Sequence, residues 1–150
     1  MLRVFFLVSA LVSPGILWAQ RNLDIEYVEG IEPLHYVVQR SLGPINIDGK
    51  LDEPSWQRAE WTPAFVDIEG ERKEKPAFLT RAKMLWDDKY FYIAADLEEP
   101  HVWATLTKRD AVIYRDNDFE VFIDPDGDTH LYYEFEINAL GTEWDLLLAK

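Results

Sequence analysis

Carboxylates recur at every second position in two nearby stretches of this sequence. Asp118 and Glu120 flank a phenylalanine in the first stretch, and Glu134 and Glu136 do the same in the second. Side chains two residues apart on a β-strand point to the same face, so the alternation predicts two strands with acidic faces. Like charges directly opposite each other destabilise a sheet. The pattern therefore predicts a solvated acidic face or a compensating partner: a basic strand, a metal ion or a ligand rich in hydroxyl groups.

These acids lie in a predicted three-stranded antiparallel meander over 115–148. Three runs that alternate apolar and polar residues are separated by two turn signals. The register that gathers the apolar residues on one buried face places Glu120 opposite Glu134 and Asp118 opposite Glu136. We therefore expect the carboxylates on the other, less buried face.

Basic residues are expected in a second hairpin. The runs 78–87 and 90–97 are joined by two polar residues, which predicts a tight turn. Its register places Arg81 and Lys83 on one face. If this hairpin flanks the strand of Glu120, its cations partly offset the acidic face.

The remaining segments complete an all-β prediction. The sequence 35–40 is β-rich, 52–56 predicts a short helix, 61–68 is a further candidate strand, and 98–117 is a long irregular segment. Short strands with regular turn signals are typical of an antiparallel β-sandwich. In this arrangement we expect three residues to face the core: Met84, Trp86 and Trp144.

Composition excludes several classes of function. The chain has 150 residues, a net charge of −13 and no cysteine. An acidic protein is not expected to bind nucleic acid or acidic phospholipid. The lack of cysteine excludes disulfides, thiol catalysis and thiolate-ligated metals.

Residues 1–19 are predicted to be a secretory signal. Arg3 precedes an apolar run that Pro14 and Gly15 interrupt, and Ala19 suits a cleavage site. The run is too short to span a bilayer. We therefore expect a periplasmic or extracellular protein with no membrane insertion after cleavage, and a leader over 20–34.

Three sequence blocks resemble the family 9 carbohydrate-binding modules. Their order and spacing match the family, and the resemblance covers 35–150; the blocks are INIDGKLDEPSW (45–56), MLWDDKYFYIAADLEEP (84–100) and DNDFEVFID (116–124). The family implies a jelly-roll-like antiparallel β-sandwich related to the DOMON group. Members of family 9 bind the ends of plant polysaccharide chains and soluble sugars, and are often attached to xylanases. Calcium binding occurs in the family.

The resemblance also implies a binding site. The family holds a sugar between two aromatic side chains, and Tyr114 lies where it places the first, a tryptophan. Glu120 matches a sugar-binding glutamate, whereas Glu136 lies where the family has a sugar-binding arginine. We expect the second clamp aromatic and the last strands to lie beyond Lys150. The predicted carbohydrate-binding set is Tyr114, Glu120, Glu134, Glu136, Lys83 and Arg81, with a xylan-like or cellulose-like ligand.

Asp124, Asp126 and Asp128 have the alternating spacing of calcium-binding loops. They lack the downstream glutamate of an EF-hand. A calcium site and a polar hairpin turn are both open interpretations.

Other classes of function stay open as alternatives. Opposed Glu120 and Glu134 would lie near the ~5 Å separation of retaining glycosidases, although a flat sheet gives little desolvation to raise one pKa. A haem or redox domain would need Met84 and one of the histidines as ligands, which are His35, His101 and His130. A purely structural domain is the third alternative.

Overall fold

The computed structural model describes residues 5–7 and 33–149, and these form an all-β structure with one short α-helix. One sheet has the order β1-β5-β6-β7, and the other has the order β2-β3-β4. The strands are β1 (Phe5–Leu7), β2 (Gln39–Arg40), β3 (Thr80–Trp86), β4 (Phe91–Leu97), β5 (Asp118–Asp124), β6 (Tyr132–Asn138) and β7 (Glu143–Leu148). Helix α1 spans Pro54–Arg58. The predicted β-sandwich class is confirmed, and so is the meander, as β5, β6 and β7.

The predicted register between β5 and β6 is wrong by two residues. Glu120 lies opposite Glu136, not Glu134, and Asp118 lies opposite Asn138. The turn between these strands is wider than predicted because the Asp124 carboxylate accepts hydrogen bonds from backbone N–H groups inside it. A slip of two residues preserves the faces, so the acids still share one side of the sheet.

The predicted register between β6 and β7 is wrong by one residue, which exchanges the faces of β7. Trp144 lies opposite Glu136 and therefore on the carboxylate face, not on the predicted apolar face. The cause is a tight turn in which the Asn138 Oδ1 atom accepts the N–H groups of Leu140 and Thr142, each at 3.0 Å.

Burial is also the reverse of the prediction, because the acidic face is the covered one. Glu120 is 2% exposed and Glu136 is 1% exposed, whereas Tyr133, on the opposite face of β6, is 53% exposed. The segment 98–117 lies against this face, where Asn138 donates hydrogen bonds to Leu106 and Asp116 and the Trp144 ring contacts Tyr114. It is anchored by Ile113, which is completely buried in a 3-10 turn over 113–115, close to β6.

Hydrogen bonds hold this covering segment to the sheet. The Asp116 carboxylate accepts bonds from the N–H groups of Thr105 and Leu106 at 2.9 and 2.8 Å. The Asn138 amide of β6 donates to the Leu106 carbonyl at 2.8 Å and to Asp116 at 3.0 Å. Buried polar groups that are satisfied in this way fix one position of the segment.

The β3–β4 hairpin has the predicted register, with Trp86 opposite Phe91 and Lys83 opposite Ala94. A hydrophobic cluster of Trp56, Ala59 and Leu85 packs α1 against this sheet. The prediction that Met84 is buried is confirmed. The prediction for Trp86 is wrong, since the ring is 39% exposed at the end of the hairpin and Arg40 lies over it.

Two candidate strands are shorter or less regular than predicted. Of 35–40, only Gln39–Arg40 forms a strand, parallel to β3. In 61–68, the N–H groups of Thr62 and Phe65 donate to carbonyls of β3 without forming a regular strand.

Of the predicted signal and leader, the structure describes only 33–34 and residues 5–7, which form β1 and pair in parallel with β5. The rest lies outside the described residues. Within the described ranges, no helix is long and apolar enough to cross a membrane.

Candidate functional site: an aromatic and acidic cleft

A cleft of about 830 Å³ opens where the covering segment meets the ends of both sheets. Three of its rings are well exposed: Trp103 and Tyr114, each at 47%, and Phe78 at 45%. Polar side chains share its wall, namely Glu98, Glu99, Arg115, Asn117 and Asp118. A concave site with aromatic walls and a few polar groups is typical of small-ligand binding.

Tyr114 is held in the cleft by its neighbours in the chain. Buried Ile113 and Asp116 anchor the 3-10 turn on either side, which leaves the Tyr114 ring at the surface. Its centroid lies 6.0 Å from that of Trp144, at an interplanar angle of 34°. This aromatic contact supports one side of the ring and fixes its orientation.

Behind the cleft, three carboxylates converge on the acidic face. Asp118, Glu120 and Glu136 each offer one oxygen, and these oxygens all lie within 4.8 Å of one another. We call this group the buried triad. Of the three, only Asp118 lines the cleft, whereas Glu120 and Glu136 are buried and do not line it.

The buried triad is electrostatically unfavourable when fully ionised. Burial, followed by the negative charges of Glu120 and Asp118, raises the pKa of Glu136 to about 8. Interaction with the Asp118 side chain adds to this rise.

The other predicted site residues are not all brought together. Glu134 is on the acidic face, 6% exposed, and lies opposite Phe122 and Leu146. The hairpin of Arg81 and Lys83 does not flank the strand of Glu120, because it belongs to the other sheet, so these cations do not offset the acidic face within its own sheet.

Arg81 and Lys83 are engaged by their own sheet. Arg81 forms an ion pair with Asp96 at 2.9 Å, and Lys83 donates to the Trp56 carbonyl at 2.8 Å. Both cations lie over the Trp61 ring, at 4.2 and 4.5 Å from its centroid. Burial and the nearby Arg81 charge lower the pKa of Lys83. These contacts give both residues a structural role.

The predicted calcium residues Asp124, Asp126 and Asp128 do lie together, with one oxygen of each within 4.8 Å of the others. We call them the turn triad. Both Asp124 oxygens already accept backbone N–H groups, from Gly127 at 3.0 Å and Thr129 at 2.7 Å. Burial acts to raise the pKa of Asp124, but these donors outweigh it and the pKa is lowered. Three oxygens suit calcium, and calcium binding here stays a prediction.

Sequence reasoning missed part of the cleft. Trp103 and Phe78 line it, and neither belongs to the predicted carbohydrate-binding set. Their only signal was position, because Trp103 lies in the irregular segment and Phe78 just before β3. Segments of that length in compact domains often carry function.

The chain belongs to the family described as carbohydrate family 9 binding domain-like, whose model matches residues 47–146. The match includes β3 to β6 and the residues of the covering segment. The family resemblance drawn from the three sequence blocks is therefore confirmed. The family is one of carbohydrate-binding modules found attached to glycoside hydrolases.

Three proteins similar to this chain carry the names of polysaccharide-degrading enzymes. Exoglucanase XynX of Acetivibrio thermocellus is 30% identical over 99 residues, which is 66% of this chain and 8% of that protein. Endo-1,4-beta-xylanase A of Thermoanaerobacterium saccharolyticum is 34% identical over 99 residues, again 66% of this chain and 8% of that protein. Endo-1,4-beta-xylanase C of Paenibacillus barcinonensis is 33% identical over 82 residues, 55% of this chain and 7% of that protein. The chain thus spans less than a tenth of each relative. No solved structure gives a significant match.

Proposed function

We propose that this domain is a non-catalytic module that binds a plant-type polysaccharide or oligosaccharide, xylan-like or cellulose-like, in the aromatic cleft. Family membership supports carbohydrate binding, and the names of the relatives support the ligand class. The observation that carries the proposal is the pair of exposed rings, Tyr114 and Trp103, on a cleft that also exposes polar side chains.

Binding would combine stacking and hydrogen bonds. A pyranose ring has apolar C–H faces that pack on aromatic rings, and its hydroxyl groups need fixed polar partners. Tyr114 offers the supported stacking surface, while Trp103 offers a second ring on the same cleft. Asp118 and Asn117 would accept and donate hydrogen bonds to the hydroxyl groups, and Arg115 would donate.

The acids Glu120, Glu134 and Glu136 would act behind this surface. All three are more than nine-tenths buried, so direct contact with a sugar would fall to Asp118. Glu120 and Glu136 would then position the Asp118 carboxylate from beneath. The direct sugar contacts predicted for these glutamates, and for Arg81 and Lys83, stay predictions.

Hydrolysis is the weaker alternative. The opposed pair on the sheet is Glu120 with Glu136 rather than Glu120 with Glu134. Both members are at most 2% exposed, whereas retaining hydrolysis needs one carboxylate to attack the sugar directly. A haem domain is weaker still, because Met84 is buried while His35, His101 and His130 are all exposed.

We further propose that the protein acts outside the cytoplasm. The predicted signal over 1–19 and the polymeric substrates in the relatives' names support this location.

Calorimetric titration with xylo- and cello-oligosaccharides tests the binding proposal. Replacing Tyr114 with alanine should cost at least about 1 kcal/mol of binding free energy, a roughly fivefold loss of affinity. Tyr133→Ala is the matched control, since Tyr133 is similarly exposed, at 53%, but lies on the opposite face and outside the cleft. Equal affinity of the Tyr114 variant and the parent would reject the cleft as the binding site.

A further inference from the structure

The wall of the aromatic cleft is strongly acidic. Among the described residues that line it, Arg115 is the only cation, whereas six are acids: Asp67, Glu74, Glu98, Glu99, Asp116 and Asp118. Carboxyl groups carry a negative charge near pH 7, and guanidinium groups carry a positive one. The cleft therefore has an excess of negative charge, within a chain whose net charge is −13.

Backbone donors hold two neighbouring acids of the wall in place. The Glu98 carboxylate accepts the N–H group of Leu79 at 3.2 Å, and the Glu99 carboxylate accepts that of His101 at 2.7 Å. A carboxylate held in this way does not turn away from a ligand without losing its hydrogen bond. None of the ion pairs formed by the described residues involves either glutamate, so both charges act on the cleft.

We propose that the cleft selects its glycan by charge: it binds uncharged chains and discriminates against glycans that carry uronic acids. This inference rests on the proposed carbohydrate-binding function and adds the class of ligand that the site rejects. The rings of Tyr114 and Trp103 supply stacking, which is similar for neutral and acidic sugars of one shape. A uronate carboxylate in the cleft, however, faces several fixed charges of its own sign.

These charges act across the whole cleft. The Debye length is about 10 Å at 0.1 M salt, and a cleft of about 830 Å³ is comparable in width. A ligand charge inside the cleft is therefore screened only in part from the acids of the wall. Like charges that an interface brings together oppose binding, so a uronate loses affinity even where it does not touch Glu98 or Glu99.

Arg115 does not reverse this preference. Its side chain is exposed, and an ion pair between exposed groups contributes little to binding. Its neighbour in the chain, Asp116, adds a negative charge at neutral pH. Burial acts to raise the pKa of Asp116, but hydrogen bonds from Leu106, Thr105 and Asn138 outweigh it and the pKa is lowered.

Calorimetric titration with three ligands of one backbone tests the selection. They are xylotetraose, xylotetraose with one glucuronic acid branch, and the methyl ester of the branched form, which keeps its shape and removes its charge. In a low-salt buffer with chelator, the uronate should bind roughly tenfold or more weakly than its methyl ester, and this ratio should shrink at about 0.5 M salt.

The double variant Glu98→Gln, Glu99→Gln should lower the same ratio roughly threefold or more at low salt. Glutamine keeps an oxygen that accepts the N–H groups of Leu79 and His101, while two negative charges are removed. Circular dichroism establishes that the variant is folded. Glu74→Gln, at another exposed acid of the wall, should shift the ratio in the same direction and serves if the double variant does not fold.

The matched control is Asp126→Asn with Asp128→Asn, which removes two exposed charges outside the cleft. Its ratio should equal that of the parent, which separates the charge of the cleft from the net charge of the chain. Equal affinities of the uronate and its methyl ester would overturn the inference, and so would an unchanged ratio in the folded glutamine variants. In both cases binding of xylotetraose would leave the proposed function standing, whereas absence of binding by all three ligands would reject that function and this inference with it.

Discussion

The two triads contain the same chemical groups in opposite surroundings. Each brings three carboxylate oxygens within 4.8 Å of one another. The turn triad is largely exposed, and backbone N–H groups of its own turn bind Asp124. The buried triad is spread over two strands, and two of its members are at most 2% exposed. Local backbone geometry thus stabilises one group of charges, while tertiary packing concentrates the other.

The pKa directions express this difference. N–H donors lower the pKa of Asp124 despite its desolvation, whereas burial and neighbouring carboxylates raise that of Glu136 to about 8. Charge density alone therefore says little about what an acidic cluster does. The decisive quantity is the supply of donors or cations around it.

The largest expected effect comes from releasing the segment that lies against the acidic face. Asn138→Ala deletes the amide that donates to Leu106 and Asp116 and accepts the N–H groups of the β6–β7 turn. Because Asn138 is only 5% exposed, several buried groups lose their partners, and the free energy of unfolding should fall by roughly 2–4 kcal/mol. Urea denaturation measures this fall. A loss below about 0.5 kcal/mol would show that the segment is held mainly by Ile113.

A smaller effect of opposite sign is expected from Glu136→Gln in chelator. Between about pH 4.5 and 8, folded Glu136 holds a proton that the unfolded chain has released, so the stability of the parent should decrease as pH rises through this window. Glutamine keeps the shape without the charge. The variant should therefore exceed the parent by about 1–3 kcal/mol at pH 8, and the two should converge near pH 4.

Denaturation of the two proteins at several pH values in chelator checks this dependence. Glu134→Gln is a useful control, because Glu134 lies on the same face but outside the triad. A parent whose stability rises between pH 5 and 8 as steeply as that of the Glu136 variant would contradict the charge conflict.

The sequence predicted the acidic conflict but not its location in the fold. Alternation in 118–124 and 132–138 is strong enough to define the strands and the shared acidic face. The register between neighbouring strands was harder to predict, because it depends on hydrogen bonds of side chains inside the turns. Asp124 widens one turn and Asn138 tightens the other, and neither effect is visible in hydrophobic periodicity.

Burial was reversed for a different physical reason. The apolar residues of the meander suggested the covered face, whereas the structure buries the acids, and the segment that lies against their face has no periodic pattern. Its position depends on Ile113, Asp116 and Asn138. Asn138 is distant from the other two in sequence, and none of the three stands out in the sequence pattern. Tyr114 was found through the family resemblance, while Trp103 in the same segment required the structure to place it on the cleft.

The smallest effect is expected in the turn triad, and it completes the comparison. Asp126→Asn with Asp128→Asn changes exposed side chains and should alter the free energy of unfolding by less than about 0.5 kcal/mol in chelator at pH 7. Asp124→Asn should cost more than this pair, because it weakens the acceptor for Gly127 and Thr129. Since the pKa of Asp124 is lowered, the stability it adds should be lost as pH falls through its folded-state value, the reverse of Glu136. Thermal melts of the three proteins between pH 3 and 7 measure both effects. The double variant should leave the turn intact, with a fall in the free energy of unfolding that is smaller than that of Asp124→Asn. An equal fall would show that the exposed acids also stabilise the turn, and the contrast with the buried triad would then be smaller than the geometry indicates.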